Sequence, residues 1–150
     1  MASTAYLFWK QFKKQRCLNP FIGSDIFERD FVYVSDVVDV NLWFLERKDK
    51  TGVFNVGTGT PRSFDDMARI VLDVCTEPER YGYERERKIS GITHVRMPDG
   101  LREHYQEYTC ADLTNLRKAG YKKSFKGLED GVKEYITWLN RNIILSSSVR

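Results

Sequence analysis

Apolar residues along the chain fall into short clusters separated by polar turns, and their spacing predicts helices alternating with short strands. Ala5, Tyr6, Phe8, Trp9 and Phe12 precede Lys13, Lys14 and Arg16. That order suits a helix over residues 1–16 whose cationic end meets the negative end of its own dipole. Asn19-Pro20 breaks the pattern, and Phe21 through Asp25 reads as a turn. Asp30-Phe31-Val32-Tyr33-Val34 is β-branched and aromatic and predicts a strand. Ser35 and Asp36 are N-cap candidates for a following helix, with Val37, Val40, Phe44 and Leu45 on one apolar face. After a polar turn from Lys48 to Gly52, Val53-Phe54-Asn55-Val56 predicts a second strand, closed by Gly57-Thr58-Gly59.

Ser63 is placed to cap the next helix, with Asp65 and Asp66 in its first turn and Met67, Ile70, Val71 and Val74 on its inner face. Residues 76–91 alternate in charge around Glu84-Arg85-Glu86-Arg87-Lys88, the pattern of a solvated loop or hairpin. Ile92 to Met97 can form a strand, and Asp112 to Ala119 a short helix ended by Gly120. Leu128, Val132, Tyr135, Ile136 and Leu139 mark a last helix ending near Asn140-Arg141-Asn142, with a frayed tail at Ser146 to Arg150. The alternation predicts an α/β fold with parallel strand neighbours. Yet four amphipathic helices accompany only three or so short strands. Helices in a layered fold need sheet to cover their apolar faces, so further sequence upstream is expected.

Composition narrows this picture modestly. With 150 residues, 41% of them hydrophobic and 13% aromatic, the chain has enough material for a core. A net charge of +3, from 24 basic against 21 acidic residues, gives no strong attraction to nucleic acid or anionic membranes. The basic run Lys10, Lys13, Lys14 and Arg16 is offset by acidic charge elsewhere. Cys17, Cys75 and Cys110 stand far apart, an odd number without paired spacing, which argues against a disulfide framework or a thiolate metal site. His94 and His104 lack the spacing of a zinc pair. No apolar run reaches membrane-spanning length, and Met1-Ala2-Ser3-Thr4 lacks the basic lead of a signal peptide, so a soluble cytoplasmic chain is expected.

Three arrangements invite chemistry. Gly57-Thr58-Gly59 lies between a strand and a helix, as a dinucleotide loop would, but Arg62 stands where the third glycine is required. A tight turn is the better account. Tyr6 and Lys10 have the spacing that puts a phenol and an ammonium on one helix face, where the cation lowers the phenol pKa for acid–base work. Among eight tyrosines this spacing arises readily by chance, and no nucleotide loop precedes it. The loop from Phe21 to Ser24, followed by Arg29, offers an aromatic cover, a close backbone approach at Gly23, a hydroxyl donor and a guanidinium fork suited to a diphosphate. Taken alone, a surface turn with an ordinary arginine explains it as well.

Read in order, the segments resemble a known family. Arg29-Asp30-Phe31-Val32-Tyr33-Val34-Ser35-Asp36-Val37 and Phe54-Asn55-Val56-Gly57-Thr58-Gly59 resemble signatures in the C-terminal half of the extended short-chain dehydrogenases. Longer runs resemble the ADP-L-glycero-D-manno-heptose 6-epimerases within that group. They are Met1-Ala2-Ser3, Phe21 to Ser24, Asp36 through Glu46, Ala111 to Arg117 with Ala119-Gly120-Tyr121, and Trp138-Leu139-Asn140-Arg141. The likeness is weakest from Thr76 to Arg102.

The resemblance implies an incomplete Rossmann-type α/β fold in which residues 1–145 are the C-terminal sugar-nucleotide-binding portion. It places the substrate contacts on Phe21, Ile22, Gly23, Ser24, Arg29 and Tyr105. Leu7 stands where the family has a substrate-contacting histidine, and Ile22 where it has a glutamate, so two polar contacts are lost. The family's glycine-rich loop, NADP pocket and catalytic Ser/Thr, Tyr and Lys correspond to sequence before Met1. No catalytic, cofactor or metal residue is therefore expected in this chain, and no NADP binding by it alone. An ADP-sugar is the implied ligand, and a homo-oligomer or docking to an N-terminal Rossmann half the implied association. The implied chain is inactive alone; the rival expectation is a non-catalytic binding or assembly module.

Overall fold

The computed structural model describes residues 3–77 and 91–147. Helix α1 (Thr4–Gln15) begins at Ser3, whose hydroxyl accepts from the Tyr6 backbone N–H at 3.2 Å. Its inner face buries Ala5, Phe8, Trp9 and Phe12, and it ends at Arg16 in the left-handed region, φ 58°. Helix α3 (Phe64–Thr76) starts with the expected Ser63 cap, and Asp66 returns to the Ser63 N–H to complete a capping box. It buries Met67, Ala68, Val71, Val74 and Cys75. Helix α5 (Leu128–Ser147) adds Val132, Ile136 and Leu139 to the same core. At its centre Phe12, Val71 and Ile136 are wholly shielded from solvent. Each such side chain contributes about 1.5–3 kcal/mol relative to exposure. The indole N–H of Trp9 donates to Asn140 Oδ1 at 3.0 Å, tying α1 to α5 by a buried polar contact.

Sheet is sparse. Strand β1 (Cys17–Leu18) pairs parallel with β4 (Gly91–Ile92), with Cys17 opposite Gly91 and Leu18 opposite Ile92. The pairing continues as a looser ladder through the Val95 N–H to Pro20 O and the Ile22 N–H to Val95 O. Strand β2 (Glu28–Arg29) pairs antiparallel with β3 (Arg62–Ser63), and its other side accepts and donates bonds with Glu107 and Thr109. Helix α2 (Val34–Leu45) and the short α4 (Thr114–Ala119) flank a second, smaller cluster. There Val40, Leu116 and Tyr121 are buried among Trp43, Phe44, Phe54 and Val56. Gly120 closes α4 at φ 108°, a conformation that suits glycine best.

Several expectations need correction. The strand expected over residues 30–34 lies at Glu28–Arg29 instead, and residues 30–33 belong to no strand among the described residues. Val53 to Val56 likewise belongs to no strand among the described residues. Both have strand-like composition; a ladder needs a neighbour, and composition cannot supply one. Helix α2 begins a residue earlier than Ser35, with Tyr33 at the N-cap position. Asp36 is buried in its first turn, where it accepts the Lys126 N–H at 2.7 Å. The last helix passes the stop expected near Asn142 and continues to Ser147. The charged run around Glu84 to Lys88 lies outside the described residues.

Candidate functional site

The central feature is an arginine packed against a pair of adjoining aromatic rings, Phe64 and Tyr105, whose centroids lie 6.2 Å apart. Strand β2 places Arg29 so that its guanidinium carbon lies 5.5 Å from the Phe64 ring centroid and 5.4 Å from that of Tyr105. One Nη donates to the Glu28 carbonyl at 2.8 Å, the other to the Gln106 carbonyl. A guanidinium carries five N–H donors in a fixed fork, so two carbonyl bonds leave donors available for an anion. Burial pushes the Tyr105 phenol above its ordinary pKa, with Arg29 opposing, so the ring sits beside the cation in its neutral form.

The turn from Phe21 to Ser24 is joined to this cluster through Phe27. A Cβ on Gly23, which sits at φ 90°, would lie 3.3 Å from the Phe27 ring. Phe27 in turn meets Tyr105 at a centroid distance of 4.9 Å. Arg102 covers Phe27 at 4.8 Å and pairs with Glu107 at 2.9 Å. Three of the expected contact residues, Gly23, Tyr105 and Arg29, are thus linked through Phe27, and the other three are not part of this path. Ile22 stands out from the turn, 64% exposed. Phe21 is half-buried and bridges to Val95. Leu7, on α1, is exposed.

Ser24 points the other way. It is buried and donates its hydroxyl to Asp65, whose Oδ1 also meets His94 Nε2 at 2.8 Å. Arg69 lies 3.6 Å from the other oxygen. Burial would raise the Asp65 carboxyl, but the bonds from Ser24 and His94 and the nearby charges outweigh it and hold it below the usual range. Sequence reasoning missed Phe27, Phe64, Asp65 and Arg102. Two of these are aromatic residues flanking β2 and β3, a signal visible only once the strands are paired.

Gly57-Thr58-Gly59 has a different use from a nucleotide loop. The N–H groups of Thr58 and Gly59 both donate to the Asp30 carboxylate, at 2.7 and 2.9 Å. The Thr58 hydroxyl and the Ala111 N–H, at 2.5 and 3.0 Å, complete four bonds to it. Donors already aimed at a carboxylate cannot cradle a pyrophosphate, so this turn does not fit a dinucleotide. Tyr6 lies on the wall of a cavity of about 750 Å³ with Phe31, Tyr33, Met67, Lys126 and Tyr135, whereas Lys10 is exposed away from it. In that wall Tyr33 donates to Glu134 at 3.0 Å and lies under the Lys126 ammonium at 4.3 Å. Burial and the Glu134 carboxylate push the Tyr33 phenol up to about 12. Among the described residues no group of three His, Cys, Asp or Glu could hold a metal ion. None of their helices is long and apolar enough to cross a membrane.

Comparison with known proteins bears on the fold. Residues 8–57 match the model of the NAD dependent epimerase/dehydratase family. The fold is similar to that of an epimerase from Methanothermobacter thermautotrophicus, at TM-score 0.77 and 17% identity, over 99% of this chain and 40% of that one. It is also similar to the Helicobacter pylori ADP-L-glycero-D-manno-heptose-6-epimerase, at TM-score 0.67 and 23% identity, over 93% and 38%. A third is the UDP-N-acetylglucosamine 4-epimerase of Methanobrevibacter ruminantium, in complex with UDP-N-acetylmuramic acid, at TM-score 0.68 and 24% identity, over 92% and 39%. The chain thus spans 38–40% of the length of these structures. The chain is thus an α/β fold of incomplete Rossmann type, similar to a part of these longer epimerase structures, with residues 8–57 carrying the family's sequence match.

Proposed function

We propose that this chain is the substrate-binding portion of a nucleotide-sugar epimerase, with an ADP-sugar as ligand and an ADP-heptose as the favoured member. The observation that carries the reading is Arg29, packed against the adjoining Phe64 and Tyr105 rings with guanidinium donors left over. A planar cation fixed beside aromatic rings suits a diphosphate, and the rings suit a base or sugar face. Phe21, Ile22, Gly23 and Ser24 form the neighbouring wall, Ser24 acting by shaping the turn through Asp65. NADP and the hydride chemistry belong, on this reading, to a Rossmann half outside these 150 residues, and the chain alone is inactive. Titration calorimetry with ADP tests it. Binding by the native chain that weakens at least about tenfold in Arg29→Ala is expected. No binding, or binding indifferent to Arg29, refutes it.

A second reading, docking onto such a half, is favoured by an independent observation. Val34, Val38, Leu42 and Leu45 recur on one exposed face of α2, and Val53 beyond it is 89% exposed. An apolar stripe of this kind suits a protein–protein contact. The two readings are compatible. Co-purification with a Rossmann-type chain supports docking, while a monodisperse monomer with sharp, cooperative melting at low concentration counts against it.

A further inference from the structure

Arg29 is held from both sides of its strand. On one side β3 pairs with it, and on the other lies the segment from Tyr105 to Ala111. That segment supplies the Gln106 carbonyl and the Tyr105 ring that fix the guanidinium. Its own attachment has two ends. Near Tyr108, the Glu28 N–H bonds to Glu107 O at 2.8 Å and the Thr109 N–H to Glu28 O at 3.2 Å. At Ala111, the N–H donates to Asp30 Oδ2, at 3.0 Å. The same carboxylate gathers Thr58 and Gly59. One side chain therefore joins the residue after Arg29 to the segment that clamps Arg29. Gly57 protects this joint by having no side chain: a Cβ there would lie 2.5 Å from Asp30 Oδ2 and 2.6 Å from the Ala111 Cβ.

We infer that Asp30 is a positioning residue that sets the orientation of the Arg29 guanidinium through the Tyr105–Ala111 segment, with Gly57 as its necessary neighbour. The consequence for nucleotide-diphosphate binding rests on the function proposed above; the orientation of Arg29 does not. Asp30→Asn is nearly isosteric but turns an amide N–H₂ toward backbone donors that need an acceptor. Gly57→Ala displaces the same carboxylate by a different route.

Guanidinium signals in ¹⁵N-edited spectra of the 150-residue chain test this without any ligand. Restricted rotation of the Arg29 guanidinium should be lost in both variants. It should persist for Arg62, which lies opposite Arg29 in the β2–β3 ladder but whose guanidinium is held by Asp66 at 3.0 Å and Glu129 at 2.8 Å. ADP titration should then show about tenfold weaker binding in each variant. Unchanged Arg29 signals in Asp30→Asn overturn the inference. So does simultaneous loss of the Arg29 and Arg62 signals in both that variant and the milder Thr58→Ala, because Asp30 would then support the fold in general. If the native chain binds no ADP, the functional reading fails, while the Arg29 signals still decide the positioning role.

Discussion

The two apolar clusters differ in how completely they are closed. Around α1, α3 and α5 each helix turns its apolar face toward the other two, and Phe12, Val71 and Ile136 touch no solvent. Around α2 and α4 only one side is satisfied. Val40, Leu116 and Tyr121 are buried, but the opposite face of α2 leaves Leu45 69% exposed and Val34 68%. The first cluster is closed by its three helices together with Leu18 of β1 and the half-buried Phe31 and Ile92. The second is closed on one face only and leaves the other face of α2 apolar and exposed.

The largest test of this difference is Phe12→Ala, expected to cost about 3–5 kcal/mol in urea unfolding because the cavity it leaves is enclosed on all sides. A cost below that of any α2 substitution would break the comparison. Acid comes next. Burial alone would raise the carboxyls of Asp30 and Asp65, but their hydrogen bonds outweigh it and hold both below the usual range. Folded values below unfolded ones give stability that is present above the ordinary carboxylate range, about pH 4, and lost as pH falls through the lowered values. Urea midpoints should therefore fall between pH 6 and pH 3, and fall less steeply in Asp30→Asn. Ser63→Ala removes the cap of a core helix and should cost about 1 kcal/mol. Leu42→Ala should change the stability of the chain alone by no more than about 0.5 kcal/mol. Leu42→Asp should instead reduce concentration-dependent association in sedimentation velocity, and no change there would mean the open face of α2 has no partner.

What was legible in the sequence follows the same division. Helices α1, α3 and α5 announce themselves because their apolar periodicity and their caps are local properties. Ser63, Asp66 and Gly120 take the roles their types suggest. The stretches Phe31 to Val34 and Val53 to Val56 have the composition of strands, but pairing depends on residues distant in sequence, so composition alone overstated the sheet. The site was legible as a set of residues and not as a mechanism of assembly. Arg29 and Tyr105 do meet, but the Phe27 and Phe64 rings that bring them together carry no motif. Ser24 was expected as a donor toward ligand; the buried Asp65 takes that hydroxyl, a contact between residues 41 positions apart.

The closeness of Gly57 to the Asp30 carboxylate bears on how such a chain can diverge. Position 57 has no room for a side chain while position 30 is aspartate, whatever ligand the protein takes. Glycine retained at 57 through a lineage would then testify to its partner at 30 and not to a bound nucleotide. A side chain at 57 should require change at both of its neighbours. A library randomised at 30, 57 and 111 should return Gly57 wherever Asp30 or Ala111 is kept and admit alanine at 57 only where position 30 has shrunk and position 111 is glycine.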